Sequence, residues 1–185
     1  MKKIILIAAA AFLTISASAQ KFAHVNFSEL VQLAPEADEA RKTMTASSQE
    51  AQETYQAMVE EFNTKYQAYQ SKASTWTAAI RESKEKEITD IQTRIQEFSQ
   101  SVQAELQQKQ EELMAPIYTK ANETVQDLAK KGGYVYVFDV STLLYYDASQ
   151  SVDLTPAARK AMGIADDRTI ESLQQELAAQ QQAAQ

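Results

Sequence analysis

The sequence predicts an α+β protein, with a long antiparallel α-helical hairpin, coiled-coil-like in its pattern, carried on a small β-strand base. Three observations predict it. Residues 36–131 contain no glycine and one proline, Pro116, yet they are too aromatic and too regularly patterned for disorder. Within them Tyr55, Val59, Phe62, Tyr66, Tyr69, Ala73 and Trp76 recur at alternating gaps of four and three, the heptad mark of helices packed along their length. Short strand-like segments flank the stretch on both sides.

The chain opens with Lys2 and Lys3, an apolar run over residues 4–15, and Ala17-Ser18-Ala19, which together read as a signal peptide cleaved before Gln20. That run is too short to anchor in a bilayer, and no later segment reaches the necessary length. No cysteine is present, so a lipoprotein attachment residue and a disulfide framework are both excluded. The expectation is an exported, soluble, periplasmic protein.

Residues 22–27 alternate as a short strand. Asn26 with Glu29 matches a capping box, so a brief helix through Leu33 follows. Pro35 suits the first position of the outgoing arm helix, and Glu36, Asp38 and Glu39 suit its positive end. Residues 71–79, rich in small and hydroxyl side chains, are where the chain reverses. The return helix carries Ile88, Ile91, Ile95, Phe98, Val102, Leu106, Leu113, Ile117, Val125 and Leu128, with spacing that relaxes from seven toward eleven near 102–113. It ends at Lys130-Lys131-Gly132-Gly133, cations and then a glycine stop. Residues 134–139 form the strongest strand, 143–146 a second, and Thr155-Pro156 opens a small helix that stops at Gly163. The domain boundaries follow: 1–19 signal peptide, 20–34 with 132–163 the base, 35–131 the arm, and 164–185 a Gln/Ala-rich tail to which we assign no structure.

The formal charge is −7, and removal of Lys2 and Lys3 takes it to −9. Such a chain is a poor nucleic-acid binder, because neutralising phosphate supplies most non-specific affinity. Residues 36–79 carry seven acids against four bases, and residues 80–131 ten against eight. The reversal is the local exception, with Lys72, Arg81, Lys84 and Lys86 against Glu82 and Glu85. No Ser-His-Asp set, glycine loop or metal-ligand spacing is present, so no catalytic residue, cofactor or metal is expected and an enzyme is the least favoured class. His24 and Asp139, Asp147 and Asp153 read as packing, strand-end and turn residues.

Three strands of four to six residues make a marginal sheet with open edges, and a helical hairpin cannot bury much surface against itself. Joining several protomers' sheets into one closed base, through Val25, Tyr134, Tyr136, Phe138 and Leu144, resolves both deficits. On the arm, Tyr55, Phe62, Tyr66, Tyr69 and Trp76 are either the seam between the helices or rings open to a binding partner, since tyrosine and tryptophan carry an apolar body and a polar tip. Pro116 removes a hydrogen bond to the Glu112 carbonyl, which makes it a kink, a helix start or a hinge.

The order of these pieces resembles the Skp/OmpH-like periplasmic chaperones. The matching segments are His24-Val25-Asn26, the Gly133-Tyr134-Val135-Tyr136-Val137-Phe138-Asp139 strand, Leu144-Tyr145-Tyr146-Asp147, and Val152-Asp153-Leu154-Thr155, set around a hairpin of this length. The resemblance implies a homotrimer with a barrel-like β body and three helical arms. These arms enclose a cavity that holds unfolded outer-membrane β-barrel proteins without ATP. It brings no catalytic residues. This chain departs from the best-known, basic member by being acidic, which moves client capture toward aromatic and aliphatic contact and leaves at most weak contact of the arm tips with anionic lipid or lipopolysaccharide. The competing reading is a structural coiled-coil envelope protein or a partner-binding spacer.

Overall fold

The computed structural model describes residues 20–183, and the expected signal peptide lies outside them. In order the elements are β1 (Phe22–Val25), α1 (Phe27–Leu33), α2 (Pro35–Lys72), α3 (Ala78–Gly132), β2 (Tyr136–Asp139), β3 (Ser151–Asp153), α4 (Thr155–Met162) and α5 (Ile170–Ala183). The chain divides into two compact units: one of residues 33–119, the other of the described residues on either side.

The flanking unit is built on a three-stranded sheet of order β2-β1-β3. Both pairings are parallel, with Phe22 opposite Tyr136 and Ser151, and His24 opposite Phe138 and Asp153. Ala23 and Val25 point to one face and are buried, together with Leu30, Val31, Leu154, Ala158, Met162, Ile164 and Leu173. Asn26 is the joint. Its side-chain Oδ1 accepts from the Glu29 N–H at 3.1 Å and its Nδ2 donates to Glu29 Oε2 at 3.2 Å, while its own N–H donates to Thr155 Oγ1 at 3.0 Å. The expected capping box is therefore half local and half tertiary, because the strand's end needs a partner from α4. Glu29 also accepts from Arg159, whose Nη2 donates to the carbonyls of Ala165 at 2.7 Å and Arg168 at 2.6 Å. Gly133 at φ +67° and Gly163 at φ +76° take the left-handed turn that ends α3 and α4, a conformation costly for any residue with a Cβ.

One strand differs from expectation. Residues 143–146 are not paired, and the third strand is Ser151–Asp153. A tight turn at residues 139–142 would have returned the chain antiparallel beside β2. β1 is instead flanked on both sides by parallel neighbours, and a parallel pairing requires a longer crossover. Residues 143–146 are spent on that crossover, which leaves their apolar side chains outside.

Asp139, at the end of β2, accepts from the Ser141 N–H at 3.1 Å, the Ser141 hydroxyl at 2.7 Å and the Phe27 N–H at 3.4 Å. Burial opposes its ionisation, but the Ser141 and Phe27 hydrogen bonds outweigh it and hold the carboxyl below its ordinary pKa. Asp147 is held down in the same direction by Ser149. A carboxylate depressed in the folded state stabilises it above the unfolded value of about 3.9, and that stability is lost as pH falls through the folded value. Melting temperature should therefore fall with acidification below about pH 4, and Asp139→Asn should flatten that slope. Parallel melting curves for the two proteins across pH 2–5 would contradict the assignment.

In the other unit, α2 and α3 are antiparallel helices joined by a 3-10 turn at Ala73–Thr75. Ala34 at ψ 138° is extended, as a residue before proline must be, and Pro35 opens α2. Three cross-helix contacts set the register: Arg94 to Glu61 at 2.8 Å, Lys65 to Glu87 at 3.1 Å, and the Tyr69 hydroxyl donating to Glu85. Solvent screens these pairs, so they select the register more than they stabilise it. The α3 positions expected to face inward are all buried or half-buried, with Ile91 and Ile117 the deepest. On α2 the half-buried or buried stripe starts from Ala37, Ala40, Met44, Ser47, Ala51, Thr54 and Met58, then takes a four-residue step to Phe62 and continues through Lys65 and Tyr69. α3 is helical without a break through Pro116, so the expectation that the proline might start a separate helix is corrected. One lost hydrogen bond is tolerated in a helix of 55 residues whose neighbours on both sides remain bonded.

Candidate functional site

Two surfaces concentrate chemistry that a self-sufficient protomer would not leave exposed. The first is on the arm helices. Tyr55 and Tyr66 are exposed, while Phe62, Tyr69 and Trp76 are half-buried. The Phe62 and Tyr66 rings stack at 5.7 Å, and Tyr69 meets Trp76 edge-on at 5.9 Å. The expected aromatic seam thus splits: Phe62, Tyr69 and Trp76 lie on the packed stripe, and Tyr55 and Tyr66 fall off it because the stripe steps by four between Met58 and Phe62.

Three depressions mark this unit. A shallow groove of about 290 Å³ on α2 is lined by Tyr55, Gln56, Val59, Glu60, Asn63, Thr64 and Gln67. A wider opening of about 720 Å³ lies between Met44 and the α3 side chains Gln100, Gln103, Ala104, Leu106, Gln107 and Gln110. Near the reversal a small cavity of about 130 Å³ is walled by Trp76, Ala68 and three lysines, Lys65, Lys72 and Lys84, with Glu87. The hydrogen bonds from Lys84 and Lys65 hold the Glu87 carboxyl below its ordinary pKa.

The second surface is on the sheet. Phe22, His24, Tyr136 and Phe138 share the face opposite Ala23 and Val25. Tyr136 stacks on Phe22 at 6.2 Å and on Phe138 at 5.9 Å, and Tyr146 lies 4.6 Å from the His24 ring. His24 is buried and shares a hydrogen bond of 2.9 Å with Ser151 Oγ, which makes it a packing residue of the central strand. On this face Tyr136 is 57% exposed and Phe138 is open, and in the crossover that follows Leu144 is 107% and Tyr145 83% exposed, whereas Val152, paired with Ala23, belongs to the other face. Of the residues expected to join protomers, Tyr136 and Phe138 are on this open face, Leu144 is exposed in the crossover, Tyr134 is half-buried, and Val25 is enclosed within its own protomer. Among the described residues, β2 and β3 are the unpaired edge strands of the sheet.

The sequence profile of the outer membrane protein (OmpH-like) family matches residues 21–162. The chain belongs to the OmpH-like family. Its fold also matches that of a solved structure, a candidate OmpH-like outer membrane chaperone from Caulobacter crescentus, with a TM-score of 0.68 and 12% identity over 80% of this chain and 86% of that one. At that identity the likeness is one of fold. No curated protein matches the sequence.

The OmpH-like match ends at Met162, yet the described residues beyond it include a helix, α5. α5 buries Leu173, and Arg168 pairs with Glu176 through both carboxylate oxygens at 2.8 and 2.9 Å. The Gln/Ala-rich composition of this segment concealed its two anchors, Ile164 and Leu173. Sequence reading also missed the small-residue stripe of α2 in this OmpH-like arm, because alanine and serine give a weaker periodic signal than rings. The regular 3-4 spacing of Ala37, Ala40, Met44, Ser47 and Ala51 was the available clue.

Proposed function

We propose that this protein is an ATP-independent periplasmic holdase that keeps unfolded outer-membrane β-barrel proteins from aggregating, as a homotrimer whose sheets close into a barrel-like body and whose arms surround the client. The single observation that carries the reading is the pairing of an OmpH-like chain with an exposed aromatic sheet face and open strand edges. Contiguous apolar surface of this kind marks an interface. Residues 20–34 with 132–163 would form the body and residues 35–131 the arm. An exposed strand of an unfolded barrel aggregates unless it is surrounded, and a set of amphipathic helices surrounds it with many weak contacts. The exposed rings of Tyr55 and Tyr66, with Phe62, Tyr69 and Trp76 alongside, are proposed client contacts. The lysine-walled cavity beside Trp76 supports a weak contact with anionic headgroups at the arm tip.

The test is to dilute a urea-unfolded outer-membrane β-barrel protein into buffer with and without the purified chain, following turbidity and the mass of the complex by light scattering. Suppressed turbidity and a stable complex of one trimer per client are expected. Normal aggregation with no complex would reject the chaperone reading, and a monomeric mass would reject the assembly. The unbroken α3 and its cross-helix ion pairs favour one other reading, a structural spacer, which would leave aggregation unchanged.

Pro116 is proposed as a hinge that lets the arm adapt to clients of different bulk. Pro116→Ala restores the hydrogen bond to Glu112 and stiffens α3, so it should narrow the range of client sizes held, with large barrels losing affinity first. Equal capture of large and small clients by both proteins would remove the hinge.

A further inference from the structure

Residues 89–110 of α3 carry five charges, Asp90, Arg94, Glu97, Glu105 and Lys109, close to the 23% of the chain as a whole. Their distribution is not average. At about 100° per residue, all five project from one side of the helix, while six of the seven glutamines, Gln92, Gln96, Gln100, Gln103, Gln107 and Gln110, fall in an opposing sector about 80° wide; the seventh, Gln108, lies among the charges and donates to Glu112 at 2.8 Å. All six glutamines are exposed, and the packed stripe through Ile91, Ile95, Phe98, Val102 and Leu106 lies to one side of them. Gln107 donates to Glu111 at 3.3 Å, and among the described residues the other five form no side-chain hydrogen bond. α2 repeats the device with Gln49, Gln52, Gln56, Asn63, Gln67 and Gln70 at gaps of three, four, seven, four and three. Both stripes open into depressions: Gln56, Asn63 and Gln67 line the 290 Å³ groove beside Tyr55 and Val59, with Glu60 as its one charged lining residue, and Gln100, Gln103, Gln107 and Gln110 line the 720 Å³ opening beside Met44 and Leu106.

Helix propensity does not account for the segregation, since Glu, Lys and Gln are nearly equal helix formers. The chemistry of the group does. A carboxamide offers one acceptor and two donors without charge, the complement of a peptide group, whereas a charged face would discriminate between acidic and basic clients. The α3 stripe is about 27 Å long at 1.5 Å per residue, enough for about eight residues of extended chain at 3.3 Å each. The mean step of about 5.4 Å along the helix differs from the two-residue repeat of about 6.6 Å in a strand. Contacts therefore form in no fixed register, and the strand can slide.

We infer that the two carboxamide stripes are the rails on which an unfolded, extended polypeptide is held through its backbone amides, with Tyr55, Val59, Met44 and Leu106 supplying apolar contact beside them. This rests on the holdase reading and names the chemical group that the arms recognise. The occupant is polypeptide backbone of either net charge, which suits an acidic protein that must accept clients without electrostatic selection.

The experiment uses the full mature chain and the variant Gln96→Met, Gln100→Met, Gln103→Met and Gln107→Met, which preserves length and helix propensity and removes the donors. Two fluorescently labelled, urea-unfolded probes are titrated by anisotropy: an acidic outer-membrane β-barrel protein and a basic polypeptide of similar length. The variant should bind both probes about tenfold more weakly, the loss expected when one or two net hydrogen bonds disappear at a time, with unchanged helix content and assembled mass. Tighter binding by the methionine variant would show apolar rather than carboxamide recognition and overturn the inference. Weakening toward one probe alone, or a changed assembled mass that assigns the stripe to contact between copies, would overturn it as well. Equal binding by both proteins overturns this inference alone, whereas no binding by the wild type overturns the holdase reading with it.

Discussion

Tyr136→Asp combined with Leu144→Asp is expected to convert the proposed trimer into folded monomers without the proposed suppression of aggregation. Tyr136 lies on an edge strand and is 57% exposed, and Leu144 is fully open at 107%. Neither contributes to the buried core of its own protomer, so the double variant should keep its helix content and its melting behaviour as a monomer. Burying the two side chains contributes about 1.5–3 kcal/mol each. Their joint loss corresponds to at least a hundredfold weaker association, at about 1.4 kcal/mol per tenfold. Aspartate adds the cost of desolvating a carboxylate without a partner. Sedimentation or light scattering at micromolar concentration reads the result directly. A variant of unchanged mass would mean that protomers meet elsewhere, and a monomeric wild type would mean that the open sheet face has another occupant.

Leu30→Ala is the second large effect, and it acts inside the protomer. Leu30 has no exposed surface and sits on α1, one turn beyond the Asn26 cap. It is among the largest fully buried side chains, with Leu33 and Met162. Removing its branched end leaves a cavity that a small sheet covered by short helices cannot collapse, for a cost of about 2–5 kcal/mol. In the proposed trimer stability would be coupled to assembly, so the urea midpoint is to be compared at one fixed protein concentration. The midpoint should fall markedly with little change in slope. A shift corresponding to less than about 1 kcal/mol would show that α1 is replaceable packing. The arm helices should survive the substitution better than the sheet, which hydrogen exchange would resolve.

These two outcomes bear on different levels of the molecule, and they separate what periodicity can reveal from what it cannot. The arm helices were legible because helix signals are local. Pro35 opens α2, cations and Gly133 close α3, and the apolar side chains of α3 recur on one face. The brief α1 was legible from Asn26 and Glu29, and α4 from Thr155, Pro156 and Gly163. The half-burial of Phe62, Tyr69 and Trp76 followed from heptad counting. Tyr55 and Tyr66 did not follow, because the phase of a seam changes with a single four-residue step, and the small residues on the true stripe carry little signal.

The candidate surfaces divide in the same way. The glutamine stripes are plain in the sequence once residues are placed around a helix, but their openness became visible only beside the packed face. β3 at Ser151–Asp153 was not legible, since three residues of which two are polar have no strand pattern of their own. The ordered C-terminal segment was hidden by composition and is tied down by Arg159, whose partners Glu29, Ala165 and Arg168 come from distant and local segments alike.

By itself, the sequence determined the helical hairpin, the reversal near residues 71–79, and strands within 22–27 and 134–139, which the structure trims to 22–25 and 136–139, because each depends on side chains a few residues apart. Only the tertiary structure decided that the sheet is parallel with β1 at its centre, that residues 143–146 are an exposed crossover and not a strand, and that α5 is docked. The reason is physical. Strand order and docking are set by which distant segments satisfy one another's backbone groups and bury one another's apolar surface, and no local spacing records that choice.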